Sequence, residues 1–184
     1  MPSNLITIVI SFLPIMTLML LLCIPDFIIN PISYIINFTG HVALLFIILA
    51  LLIPRLQFLM SSLNRKVIGL SSFAYLSIHM IIYFLDNNFE IKYIKEDLLS
   101  LAFIQIGYIA FILYLPLVVT SNEKIKKYLG NTWRLLHKLI YGILIFSLLH
   151  YYLLIKADFY IISLYLLITL FVFYKSSKMI KHGS

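Results

Sequence analysis

The chain has 184 residues, 62% of them hydrophobic and only 11% charged, which excludes an ordinary soluble domain at about half apolar and a quarter charged. Its net charge of +7 does not point to a nucleic-acid partner, because the basic residues sit in short clusters between apolar runs, as in topology-setting loops and lipid-headgroup contacts. The single cysteine, Cys23, excludes an internal disulfide and any Cys-based metal or iron–sulfur site within one chain.

A membrane span needs about 20 apolar residues, since about 30 Å of hydrocarbon is crossed at about 1.5 Å per residue. Six runs qualify: Leu5–Ile24, Phe38–Leu59, Val67–Leu85, Leu98–Val119, Leu135–Ile155 and the shorter Phe159–Tyr174. Lipid offers the backbone no hydrogen-bond partner, so all six are expected as helices in one transmembrane bundle, an all-α membrane fold spanning 1–184. The first run has no basic leader, carries Pro14 in its middle and lacks a small-x-small cleavage site, so it is expected to be a retained anchor. Eleven of the 14 basic residues fall on one side: Arg55, Arg65, Lys66, Lys124, Lys126, Lys127, Arg134, Lys138, Lys175, Lys178 and Lys181. The other side holds Lys92, Lys95 and Lys156 with Asp26, Asp86, Glu90, Glu96, Asp97 and Asp158, so both termini are expected in the cytoplasm. The longest outer connection, Asp86–Asp97, mixes Phe89, Ile91, Tyr93 and Ile94 with charges and is expected at the interface; no internal repeat stands out.

Carboxylates are nearly absent from the middle of the spans, so His41, His79, His137 and His150 stand out, and an ionisable group inside a span is a functional candidate by default. His182 lies in the polar tail and is set aside. His79 precedes the outer end of the third span by six residues and His150 that of the fifth by five, which places them about 9 Å and about 8 Å below the same boundary. Two imidazoles at one height on different helices suit a bis-histidine haem, whose axial ligands approach iron from opposite faces. His41 falls near that level. His137 is thirteen residues from His150, about 20 Å down the axis, so cofactors at two levels would let electrons cross the bilayer. Thirteen residues also rotate a straight helix by about 1300°, which turns the two rings to different faces unless supercoiling or a π-bulge narrows the angle. A lone histidine in a span is as often a hydrogen-bonded packing residue, and histidines also relay protons.

The run Leu129-Gly130-Asn131-Thr132-Trp133-Arg134-Leu135-Leu136-His137-Lys138, continuing to Leu149-His150-Tyr151-Tyr152, resembles the ferric-reductase-like transmembrane family. Asn37-Phe38-Thr39-Gly40, Arg65-Lys66-Val67-Ile68-Gly69-Leu70, His79 with Tyr83, and Thr120-Ser121 resemble its other motifs in order, from about Asn37 to Tyr174. The resemblance implies a b-type cytochrome with one or two haems on His79, His150 and His137, and flavin mononucleotide as a further cofactor. It implies electrons drawn from the quinone pool or a cytoplasmic flavin reductase. It implies that they pass to a periplasmic molybdopterin-containing methionine sulfoxide reductase from a multi-pass subunit of the bacterial inner membrane. Arg65, Lys66, Trp133 and Arg134 would shape the inner site, whether it holds haem, flavin or quinone. His41 stands where relatives carry arginine or tryptophan, leaving it between a haem-propionate contact, an alternative ligand and neither.

The chain runs ten residues past the sixth span, so a nucleotide-binding domain, and with it a complete ferric reductase or NADPH oxidase, is not expected. No nucleophile, carboxylate pair or Gly-rich phosphate loop is evident, which favours an electron-transfer subunit without substrate chemistry of its own. The rivals are a small histidine-based proton channel or transporter, another ferric-reductase-like haem protein with a different acceptor, and an assembly subunit in which the histidines only pack.

Overall fold

A computed structural model describes residues 4–56, 62–155 and 159–181, with side chains to 174. The expected end of the second span (57–59), Lys156, Asp158, His182 and the tail lysine side chains lie outside the described residues. Described residues are helical or lie in short connections, with no strand among them. The helices are α1 (Asn4–Leu22), α2 (Pro31–Leu52), α3 (Arg65–Asp86), α4 (Ile91–Ser100), α5 (Ala102–Val119), α6 (Glu123–Leu129), α7 (Asn131–Leu136), α8 (Leu139–Leu154) and α9 (Phe159–Lys181). They fall into two compact units, Met1–Ile94 and Lys95–Ser184.

In the first unit α2 and α3 form the principal pair, and α1 packs on both. The second span begins seven residues earlier than the hydropathy run suggested, and the reason is local. Asn30 accepts from Ser33 N at 3.1 Å as N-cap, and Pro31 follows with its φ already helical. The same helix stops at Leu52, because Pro54 cannot continue the ladder. Buried Arg55 donates its guanidinium N–H to the Leu51 carbonyl, satisfying a terminal acceptor at the negative end of the helix dipole.

On α3, Ile68, Ser72, Tyr75 and His79 recur every three or four residues and so share a face. Ser72 donates to the Ala43 carbonyl at 2.8 Å, and Tyr75 meets Phe46 edge to face at 5.6 Å between centroids. Tyr75 also mends α1. Pro14 has no N–H and disturbs the turn before it. The Tyr75 hydroxyl accepts from Ile15 N at 3.0 Å and donates to the Ser11 carbonyl at 2.8 Å, bridging the pair a straight helix would join directly. Asn64, the N-cap of α3, donates from its backbone to Thr7 Oγ1 at 2.9 Å and from its side chain to Asn4 Oδ1 at 2.8 Å, tying the start of α1 to that of α3.

In the second unit α5 pairs with α8, and α9 packs on α8. Ile143 and Leu144 of α8 are fully buried, as is Val172 of α9, while Ala110, Tyr114 and Leu117 form the buried face of α5. The expected fourth span starts at Ala102 and not at Leu98. Residues 98–100 belong to α4, and the chain turns at extended Leu101, where Gln105 Nε2 donates to the Leu98 carbonyl at 3.0 Å. The fifth expected span is two helices, α7 and α8, separated at His137–Lys138.

Large apolar side chains remain exposed on the long helices, among them Leu20 (67%), Ile145 (52%) and Leu167 (66%), as expected of surfaces that face lipid. Among the described residues five stretches are long and apolar enough to cross a membrane: Asn4–Leu22, Pro31–Leu52, Arg65–Asp86, Ala102–Val119 and Asn131–Leu154; the apolar run Phe159–Tyr174 is shorter.

Candidate functional site: two carbonyl-anchored histidines

His79 of α3 places its Nδ1 2.9 Å from the Ile36 carbonyl of α2. A carbonyl oxygen only accepts, so this bond puts the ring proton on Nδ1 and the lone pair on Nε2. Four residues past Ile36 stands Gly40, and a Cβ there would come 3.2 Å from His79 Nδ1 and 3.3 Å from Cε1. Glycine lets the ring lie against the α2 backbone.

The second unit repeats the device. His150 of α8 places its Nδ1 2.6 Å from the Phe103 carbonyl of α5. Gly107, again four residues on, faces the ring: a Cβ there would come 2.9 Å from Nδ1 and 3.0 Å from Cε1. The Phe103 ring lies 5.9 Å from the imidazole. The sequence singled out both histidines; it did not single out Gly107, or Ile36 and Phe103, which act through their backbones. A glycine inside an apolar helix costs up to about 1 kcal/mol relative to alanine, and that cost was the one legible sign of close packing.

His137 is held differently. Its Nδ1 lies 3.1 Å from the carbonyl of Trp133, on its own turn, and its ring stacks on the indole at 3.9 Å between centroids and 29° between planes. Trp133 Nε1 donates to the Thr120 carbonyl at 2.9 Å, which fixes the indole to the end of α5. Lys126 Nζ lies over the same indole at 5.0 Å and pairs with Glu123 at 3.6 Å. Gly130 joins α6 to α7 at φ +50° and ψ −119°, a conformation that side chains with a Cβ avoid.

Between α7 and α8 the bonds from Lys138 N to Leu135 O, Ile140 N to His137 O and Tyr141 N to Lys138 O span three residues and not four. Such a turn advances about 120° per residue instead of about 100°. His137 (φ −70°, ψ −7°) and Lys138 (φ −69°, ψ −17°) carry the tightening.

His41 lies one residue beyond Gly40, half-buried and about 100° further round α2 than the face covered by His79. Arg65 and Lys66 are exposed in the first turn of α3, where cations oppose the helix dipole, so helix stability does not explain them. Arg134 is exposed on α7. Arg65 and Lys66 belong to the first unit, and Trp133, Arg134 and His137 to the second.

A neutral imidazole anchored through Nδ1 with its lone pair on Nε2 is the donor that haem iron takes, so the residues fit that group. Among the described residues no three His, Cys, Asp or Glu side chains gather; a porphyrin brings four nitrogens of its own and would need only one or two imidazoles from the protein.

The molecule is a multi-pass helical membrane protein, with imidazoles anchored inside its spans. Residues 16–148 match the family profile described as ferric reductase like transmembrane component. The chain belongs to that family. Among its relatives is the protein-methionine-sulfoxide reductase heme-binding subunit MsrQ of Herminiimonas arsenicoxydans, 35% identical over 130 residues, covering 67% of this chain and 59% of the relative. MsrQ of Xanthomonas euvesicatoria is 34% identical over 134 residues, covering 70% and 62%, and MsrQ of Caulobacter vibrioides is 38% identical over 96 residues, covering 51% and 46%. The chain thus spans about three fifths or less of these relatives' length. No solved structure matches it.

Proposed function

We propose that this chain is a haem-binding electron-transfer subunit of a methionine sulfoxide reductase system. The observation that carries the reading is the paired anchoring of His79 and His150, each fixed through Nδ1 to the backbone of a neighbouring helix within its own unit. Relatives named as heme-binding subunits of protein-methionine-sulfoxide reductase support it. In this reading Nε2 of His79 and Nε2 of His150 hold a haem b. When bound, that group supplies a one-electron ferric–ferrous couple. Each Nδ1–carbonyl bond orients its imidazole and sets its tautomer for that role.

His137 on Trp133, with Arg134, Arg65 and Lys66, would hold a second cofactor nearer the cytoplasm, a haem, a flavin mononucleotide or a quinone. Six crossings with both termini in the cytoplasm agree with the eleven basic residues on one side. The 23 residues of α9 extend about 35 Å, enough to cross. Electrons would enter from the quinone pool or a cytoplasmic flavin reductase and leave to a periplasmic molybdopterin-containing reductase of oxidised methionine. The purified chain is expected to show a Soret band and a reduced α-band, lost in His79→Ala and in His150→Ala. A colourless wild-type protein, or spectra unchanged in both variants, would overturn the reading.

A further inference from the structure

The two histidine seats share a construction that neither hydropathy nor motif order specifies. In each, a helix offers the carbonyl of residue i to the imidazole of its neighbour, and residue i+4 is glycine: Ile36 and Gly40 for His79, Phe103 and Gly107 for His150. In a helix the carbonyl of residue i points toward residue i+4, so a Cβ at i+4 can crowd a planar ring arriving at that carbonyl. We propose that Gly40 and Gly107 are positioning residues, kept free of a Cβ so that each imidazole can seat on the carbonyl four residues back, which locks the proton on Nδ1 and reserves Nε2 for a metal.

Two details set the relative strength of the two seats. A Cβ at Gly107 would stand 2.9 Å from a ring nitrogen that is itself held 2.6 Å from its acceptor, so the ring must lift off the carbonyl. At Gly40 the corresponding Cβ distance is 3.2 Å against a 2.9 Å bond, and a retreat of a few tenths of an ångström relieves it. The same helices as the histidines carry built-in controls, because a Cβ at Gly69 of α3 or at Gly142 of α8 would meet nothing within 4 Å. The metal-binding consequence rests on the haem reading above; the seating itself does not.

The test uses the full chain in detergent, as wild type, Gly107→Ala, Gly40→Ala, Gly142→Ala and Gly69→Ala. With ¹⁵N-histidine label in haem-depleted protein, the wild type is expected to show His79 and His150 protonated on Nδ1. Gly107→Ala is expected to move His150 toward the Nε2-protonated form, Gly40→Ala to do so less for His79, and the two controls to leave both unchanged. In haem-loaded protein, loss of the Nδ1–H bond weakens the ligand's electron donation, so the midpoint potential rises, more for Gly107→Ala than for Gly40→Ala. Haem affinity falls by about 10- to 100-fold in the stronger case, as for other lost partners of metal-binding histidines. A wild-type tautomer and potential in Gly107→Ala, or equal shifts in Gly142→Ala, would overturn the inference. Should Gly107→Ala fail to fold, Gly40→Ala decides it, since an unmoved His79 tautomer there refutes the seat. A colourless wild type sinks the haem reading alone, and the nitrogen shifts still settle the seat.

Discussion

The two units hold a histidine by the same device and differ in how the surrounding helices are secured. In the first, polar side chains stitch helix to helix: Ser72 to Ala43, Tyr75 to Ser11 and Ile15, Asn64 to Thr7 and Asn4. In the second, Ile143 and Leu144 of α8 and Val172 of α9 are fully buried, as Leu51 and Ile68 are in the first, and Trp133 to Thr120 is a polar tie. Apolar contact gains little where lipid is as apolar as the protein, so a membrane protein needs either close backbone approach or interhelical hydrogen bonds. The first unit uses both, and its seat at Gly40 is looser than the tight one at Gly107.

That contrast can be broken most severely at the imidazoles. If they hold a haem as proposed, His150→Ala and His79→Ala are each expected to abolish the haem spectrum, an occupancy loss greater than about ten-fold, because a methyl group offers iron no lone pair. Equal losses would mean that each unit contributes one ligand; a variant that keeps full haem would break the symmetry.

Tyr75→Phe comes next, at about 1–3 kcal/mol, since it leaves both the Ile15 N–H and the Ser11 carbonyl without their bridge beside Pro14. Hydrogen exchange of the α1 amides around Ile15 is expected to accelerate. Fluorescence of Trp133, the chain's single tryptophan, is expected to stay unchanged because it reports on the second unit. Trp133→Phe is the converse, expected to cost about 1 kcal/mol through loss of the bond to the Thr120 carbonyl while a ring remains to stack on His137. Denaturant titration read by amide exchange in α7 and α8 checks it, with α1 to α3 unaffected. Lys126→Ala should change stability by less than about 0.5 kcal/mol, as its pairing with Glu123 is exposed.

The span ends show where local reading falls short. The second run was placed at Phe38–Leu59 because hydropathy is high there, yet the capping side chain of Asn30 and the imino residues Pro31 and Pro54 move the helix to Pro31–Leu52. Leu98–Ser100 were assigned to the fourth span and belong to α4, because the corner at Leu101 is closed by Gln105 reaching back to Leu98. His79, His150 and His137 were legible, since an ionisable side chain in an apolar run is conspicuous on sight. Gly107 and Tyr75 were not, because each matters only through a neighbour 43 to 64 positions away in the chain.

By itself the sequence determined the membrane class, the apolar runs and the histidines within them, because transfer into lipid is a sum over neighbouring residues. Only the tertiary structure decided which carbonyl each imidazole meets and which glycine makes room for it. Those depend on the register and rotation of one helix against another, which interlocking side chains far apart in the chain set together.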